Sequence, residues 1–144
     1  MSGQKVVIRR TLAATPEEVY DAWLDSAGMR VWMCPGPVTS CDVDLEPRVG
    51  GSFRIVMAAP GAKIVNTGQF RVLERPKKLQ FTWISSRWAF QETLVTVELN
   101  RHEEQCELTL IHERFPMGHS SDQLEKGWSQ ILDKLAAHLP TSHR

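Results

Sequence analysis

Cysteine is scarce in this chain: Cys34, Cys41 and Cys106 are odd in number and never stand in CxxC spacing. That leaves no basis for a disulfide framework or a cysteine-rich zinc site, and free thiols in a reducing cytoplasm are expected. Net charge is missing as well, because 17 Lys and Arg cancel 17 Asp and Glu with no basic block or stripe. A nucleic-acid partner therefore has no electrostatic footprint. No run approaches the ~20 apolar residues of a membrane span. The opening MSGQKVVIRR lacks the apolar centre of a signal peptide. Repeats, low-complexity tracts and linkers are absent too.

Chemistry-bearing clusters are equally sparse. Gly50-Gly51 lacks the Lys-Ser/Thr and the following helix of a phosphate loop, so it is expected to be a turn. His112 and His119 stand apart with no third ligand at a useful spacing, and no metal or cofactor is expected. Cys34 has no partner base in the sequence to make it a nucleophile. Glu92 and Glu113 should point outward, so no carboxylate pair forms. No catalytic set emerges.

What the chain does have is an amphipathic stretch near its end, SSDQLEKGWSQILDKLAAHL, from about Ser120 to Leu139. Leu124, Trp128, Ile131, Leu132, Leu135 and Leu139 recur at helical spacing, while Glu125, Lys126, Asp133 and Lys134 lie off that stripe. Ser121 or Asp122 can cap it and Pro140 stops it. A helix of this length is a rod of roughly 30 Å. Gly127 interrupts it at a cost of ~1 kcal/mol relative to Ala. Such a glycine marks either a close backbone approach or room left for something else.

Ahead of that helix the periodicity is mostly two. Residues 5–12 form a first strand. Thr15-Pro16-Glu17-Glu18 carries a cap, a proline at the first helical position and the partner of a capping box. A second short helix starts at Asp25 or Ser26 and is broken by Cys34-Pro35-Gly36-Pro37. Alternation then predicts strands through Cys41-Val43-Leu45, Phe53-Ile55-Met57, Lys63 to about Leu73, Leu79-Phe81-Trp83, Thr93–Leu99 and Glu107–His112. Ala59-Pro60-Gly61-Ala62 is a hairpin turn, and Asn100 to Glu104 is a polar one. The Ser85–Gln91 loop carries Trp88 and Phe90, candidates for a pocket lip or for a contact in a homodimer. At 144 residues this is one domain of α+β class.

Several stretches then line up with a known family: VIRRTLAATPEEVYDAWLD, VWMCPGP, DLEPRVGGSFRIVM, GQFRVLERPKKLQFTW, ETLVTVEL, LTLIHERFP and EKGWSQILDKLAAHL. In this order they resemble the bacterial branch of the activator-of-heat-shock-protein-90-ATPase homologues, within the START/Bet v 1-like (SRPBCC) helix-grip superfamily that also holds polyketide cyclases. The resemblance covers nearly the whole chain. It implies a curved antiparallel sheet of six to seven strands wrapped around the C-terminal helix, with two short helices after the first strand. It also implies a hydrophobic cavity between sheet and helix. Family members usually carry an acid four residues after the Gly of the G-x-F/Y strand; here that position is Val72, which implies a greasier pocket.

On this basis Trp32, Phe53, Ile55, Phe70, Trp83, His112, Trp128 and Leu132 are the residues expected to face the cavity. Aromatic walls suit a flat apolar guest. His112 follows Leu108 and Leu110 on the inward face, where it could meet a ligand or act as acid/base. The expected function is non-catalytic binding of a hydrophobic or amphipathic small molecule, with a stress-related role. The resemblance also implies a co-chaperone contact with a heat-shock ATPase, or a cyclase or hydrolase using His112. Fold alone does not choose among these.

Overall fold

The computed structural model describes residues 4–35, 38–86, 91–115 and 121–139. The chain begins with strand β1 (Gln4–Leu12), followed by helices α1 (Pro16–Ala22) and α2 (Ser26–Trp32). Six more strands come next: β2 (Ser40–Leu45), β3 (Ser52–Ala59), β4 (Ala62–Glu74), β5 (Lys78–Ser85), β6 (Glu92–His102) and β7 (Gln105–Phe115). Helix α3 (Ser121–His138) ends the described chain. The strands form one antiparallel sheet in the order β1-β7-β6-β5-β4-β3-β2. This is the α+β helix-grip architecture.

The helix starts follow from local chemistry. Thr15 Oγ1 accepts from the Glu18 amide at 3.2 Å, and Glu18 Oε1 accepts from the Thr15 amide at 2.9 Å, the reciprocal capping box. Asp25 precedes α2 without such a bond. Asp21 takes a two-pronged ion pair from Arg75, at 2.9 and 3.0 Å, and Glu17 takes one from Arg101. These exposed pairs locate α1 over the sheet more than they stabilise it.

Two local corrections have physical causes. The expected five-residue turn after Leu99 is tighter, because pairing continues through Asn100↔Glu107 and Arg101↔Cys106 to His102↔Gln105. Glu103 makes the turn at φ 59°. A bulge between Phe70 and Val72 shifts the alternation of β4. Leu73 then pairs with buried Leu79, whereas Val72 pairs with Gln80, whose amide bonds Thr96 on the far side of the sheet. Val72 thus lies outside the sheet–helix interior, and its lack of charge does not make that interior greasier. Gly68, opposite Phe53 in register, is a point of close backbone approach. A Cβ there would come within 1.9 Å of the Thr82 carbonyl oxygen and 2.6 Å of the Phe53 ring, so only glycine allows this approach.

Helix α3 buries Trp128, Ile131, Leu132 and Leu135, and leaves Glu125, Lys126, Asp133 and Lys134 exposed. Its stripe, the inner face of the sheet and the inner sides of α1 and α2 make one core. Gly36, Pro37, Trp88, Phe90, His119 and Pro140, named from the sequence, lie outside the described residues.

Candidate functional site

The interior between the sheet and α3 is nearly filled. Trp23 meets Trp32 edge-on, with ring centres 4.9 Å apart, and Trp128 lies 5.4 Å from Trp83. Phe53, Phe70 and Phe81 complete the aromatic wall, each 5.5–6.1 Å from the next. Two small voids lie among the described residues of this interior. One, about 40 Å³, is a seam beneath the first half of α3, between Met57, Ile64, Asn66, Trp83, Gly127 and Trp128. The other, about 10 Å³, lies between Trp23, Met29, Met33, Phe53, Phe81 and Trp83. Pockets for drug-sized ligands run to ~300–1,000 Å³. Neither of these two spaces among the described residues holds such a ligand as it stands, because large ring systems occupy the volume around them.

The expected cavity residues separate into three groups. Phe53, Ile55, Phe70 and Trp83 line the smaller void, and Trp83 and Trp128 line the seam. Trp32 is fully buried against Trp23 and lines neither space. Leu132 and His112 are fully buried and line neither. Sequence reasoning did not place Trp23, Met29 or Met33 at the site, and it left Gly127 between a close backbone approach and spare room.

His112 is held in a directional chain of hydrogen bonds. Trp128 Nε1–H donates to His112 Nδ1 at 2.9 Å, and His112 Nε2 meets Thr93 Oγ1 at 2.8 Å. Thr93 Oγ1–H donates onward to the Trp83 carbonyl at 2.5 Å. Because Nδ1 must accept, the neutral ring carries its proton on Nε2 and donates it to Thr93. Burial pushes the His112 pKa down to about 3. An imidazolium would also aim a proton at the indole N–H. With both ring nitrogens engaged and the ring fully buried, this histidine ties α3 to β5, β6 and β7 and is not poised to exchange protons with a substrate.

The polar inventory of the interior is short. The buried polar side chains among the described residues are Asn66, Thr82, Ser85, Thr93, Thr96, Thr109 and His112, none of them charged in this state. Asn66 Nδ2 donates to the Ile55 carbonyl at 3.2 Å at the edge of the seam. The indole N–H groups of Trp23 and Trp32 are buried without a hydrogen-bond partner. Burial also pushes the Cys41 thiol up to about 12 and the Cys106 thiol up to about 11, so neither is a nucleophile at neutral pH.

Gly127 settles the question its sequence position raised. A Cβ there would meet only the Pro35 Cβ, at 4.0 Å, so no close packing requires glycine. Its φ is helical, so no unusual backbone requires it either. The missing side chain leaves room along the seam. A wider groove of about 640 Å³ lies on the other side of the sheet, bordered by Asp44, Glu46, Arg54, Thr67, Gln69 and Glu92. It is open to solvent and charged at its rim, and encloses nothing.

The same architecture recurs in solved structures. A protein of Chromobacterium violaceum matches with a TM-score of 0.84 at 24% identity, over 94% of this chain and 96% of its own. One from Rhodobacter sphaeroides matches at 0.79 and 26% identity, covering 92% of this chain and 90% of its own. One from Nitrosomonas europaea matches at 0.79 and 23%, covering 93% and 92%. No individually curated protein matches. The profile of one family, described as Activator of Hsp90 ATPase homolog 1-like protein, matches residues 13–140, from the end of β1 through the whole of α3. Strands β2 to β7, the two short helices and the gripped helix lie within that span, and the chain belongs to this family.

Proposed function

We propose that this protein takes up a hydrophobic or amphipathic small molecule between its sheet and α3, without covalent chemistry. The observation that carries the proposal is Gly127. A mid-helix glycine costs ~1 kcal/mol against Ala. Neither packing nor backbone geometry demands one here, yet it borders the seam that separates α3 from Met57, Ile64 and Trp83. A side chain forgone at that place keeps an entry line between helix and sheet. The guest enlarges the seam by displacing flexible lining groups, Met57, Ile64 and Leu124 among them. The absence of a free acid/base at His112 favours binding over turnover.

The test uses Nile red as an apolar probe. Gly127→Ala should leave uptake nearly intact, whereas Gly127→Leu, which restores helix propensity and fills the seam, should weaken it at least about tenfold, or ~1.4 kcal/mol. A folded Gly127→Leu protein that binds Nile red like the wild type would refute the location.

A second reading, contact with a heat-shock ATPase, is supported by the family description together with the filled interior. Turnover of the host chaperone ATPase, with and without this protein, tests it; unchanged turnover at saturating protein would count against it.

A further inference from the structure

The hydrogen-bond balance of the interior is one-sided, and this constrains what can be bound there. Trp23 Nε1 and Trp32 Nε1 are the buried side-chain donors left without an acceptor among the described residues. Their side chains are almost wholly buried, at 2% and 0% exposure. Native proteins seldom leave such groups unpaired, and an unpaired buried donor calls for an explanation. No buried side-chain acceptor among the described residues is left in the same state. Nor does any described buried side chain carry a charge.

The two donors come from different helices but meet at one place. Trp23 caps the C-terminus of α1 and Trp32 is the last residue of α2, and their rings pack edge to face at 74°. Trp23 lines the smaller void, whose opposite wall is Trp83. Trp83 also lines the seam beneath Gly127, so its indole borders both spaces, whereas Trp32 borders neither. A guest in the seam that moves Trp83 aside enters the void that Trp23 lines.

We infer that the molecule bound is neutral and carries a carbonyl or ether oxygen, which accepts from the Trp23 indole N–H while its apolar body lies in the seam under α3. A carboxylate is excluded because no buried Lys or Arg would compensate it. An ammonium is excluded because no described buried carboxylate would compensate it, and it offers no acceptor to the unpaired donor. This inference rests on the uptake reading above and adds the chemical class of the guest.

The experiment uses two probes of nearly the same shape, acetophenone and α-methylstyrene, in which a CH₂ replaces the carbonyl oxygen. Both are titrated into ¹⁵N-labelled protein and followed through the indole N–H signals. Acetophenone should bind about threefold to tenfold more tightly, the contribution of a neutral hydrogen bond. It should move the Trp23 indole proton downfield, whereas α-methylstyrene should not. In a Trp23→Phe protein the preference for the ketone should vanish. Equal affinities, or identical indole shifts with both probes, would overturn the inference while leaving uptake intact. Failure of both probes to bind would overturn the uptake reading and this inference with it. The wild-type titration alone decides the matter should the variant not fold.

Discussion

His112 should make the stability of this protein fall on mild acidification, and the size of the effect follows from its surroundings. Its ordinary pKa of 6.5 is lowered to about 3 by burial. The unfolded chain therefore takes up a proton between those values that the folded one refuses. The favourable term is fully present above the unfolded pKa and is lost as pH falls toward the folded one. From about pH 7.5 to about pH 5 the loss should reach about 2 kcal/mol, since each unit inside the window approaches ~1.4 kcal/mol. Asp21 and Glu46 do not mask this. Asp21, held below the usual carboxylate range by the Arg75 guanidinium, and Glu46, held down by bonds from the Ser52 amide and hydroxyl, titrate below that window. Urea unfolding followed by tryptophan fluorescence at the two pH values reads the difference. His112→Phe should lose most of the pH slope and also be weaker at neutral pH by about 1–3 kcal/mol, because Trp128 Nε1–H and Thr93 lose their partner. A wild-type stability that stays flat across this range, or a His112 ring that protonates near its ordinary value by NMR, would refute the reasoning.

Further outcomes follow from the same contacts. Gly68→Ala should destabilise by about 1–3 kcal/mol or more in chemical denaturation, because the new methyl strikes the Thr82 backbone and the Phe53 ring. Gly127→Ala should instead raise stability by ~1 kcal/mol, since its Cβ meets nothing closer than Pro35. Thr15→Ala should cost about 0.5–2 kcal/mol through loss of the capping box, without changing probe uptake. Cys41 and Cys106, buried and with raised pKa values, should react with Ellman's reagent at the rate of global unfolding; rapid native-state labelling of either would contradict their placement.

The sequence carried the architecture because most of it is periodic. The α3 stripe, the alternation in β2 and β3, the Thr15 box and the Ala59–Ala62 hairpin each depend on neighbours a few residues away. Features set by distant partners were not legible. The bulge that turns Val72 outward depends on how β4 meets β5, and one displaced residue reverses a side chain's face. His112 could be placed inward but not read as neutral and engaged, because Trp128 and Thr93 come from other elements. The filled interior was beyond periodicity altogether, since it depends on how four indoles and three phenyl rings interlock. Gly127 was visible as an anomaly, and only the empty space around its missing Cβ showed which of two meanings applied.

Chemical-shift mapping with α-methylstyrene tests most directly whether the sheet–helix interior is the binding place. The account predicts perturbations confined to Met57, Ile64, Asn66, Trp83, Gly127 and Trp128, the residues around the seam. Shifts centred on Arg54, Thr67 and Gln69, in the open groove on the other side of the sheet, would contradict it.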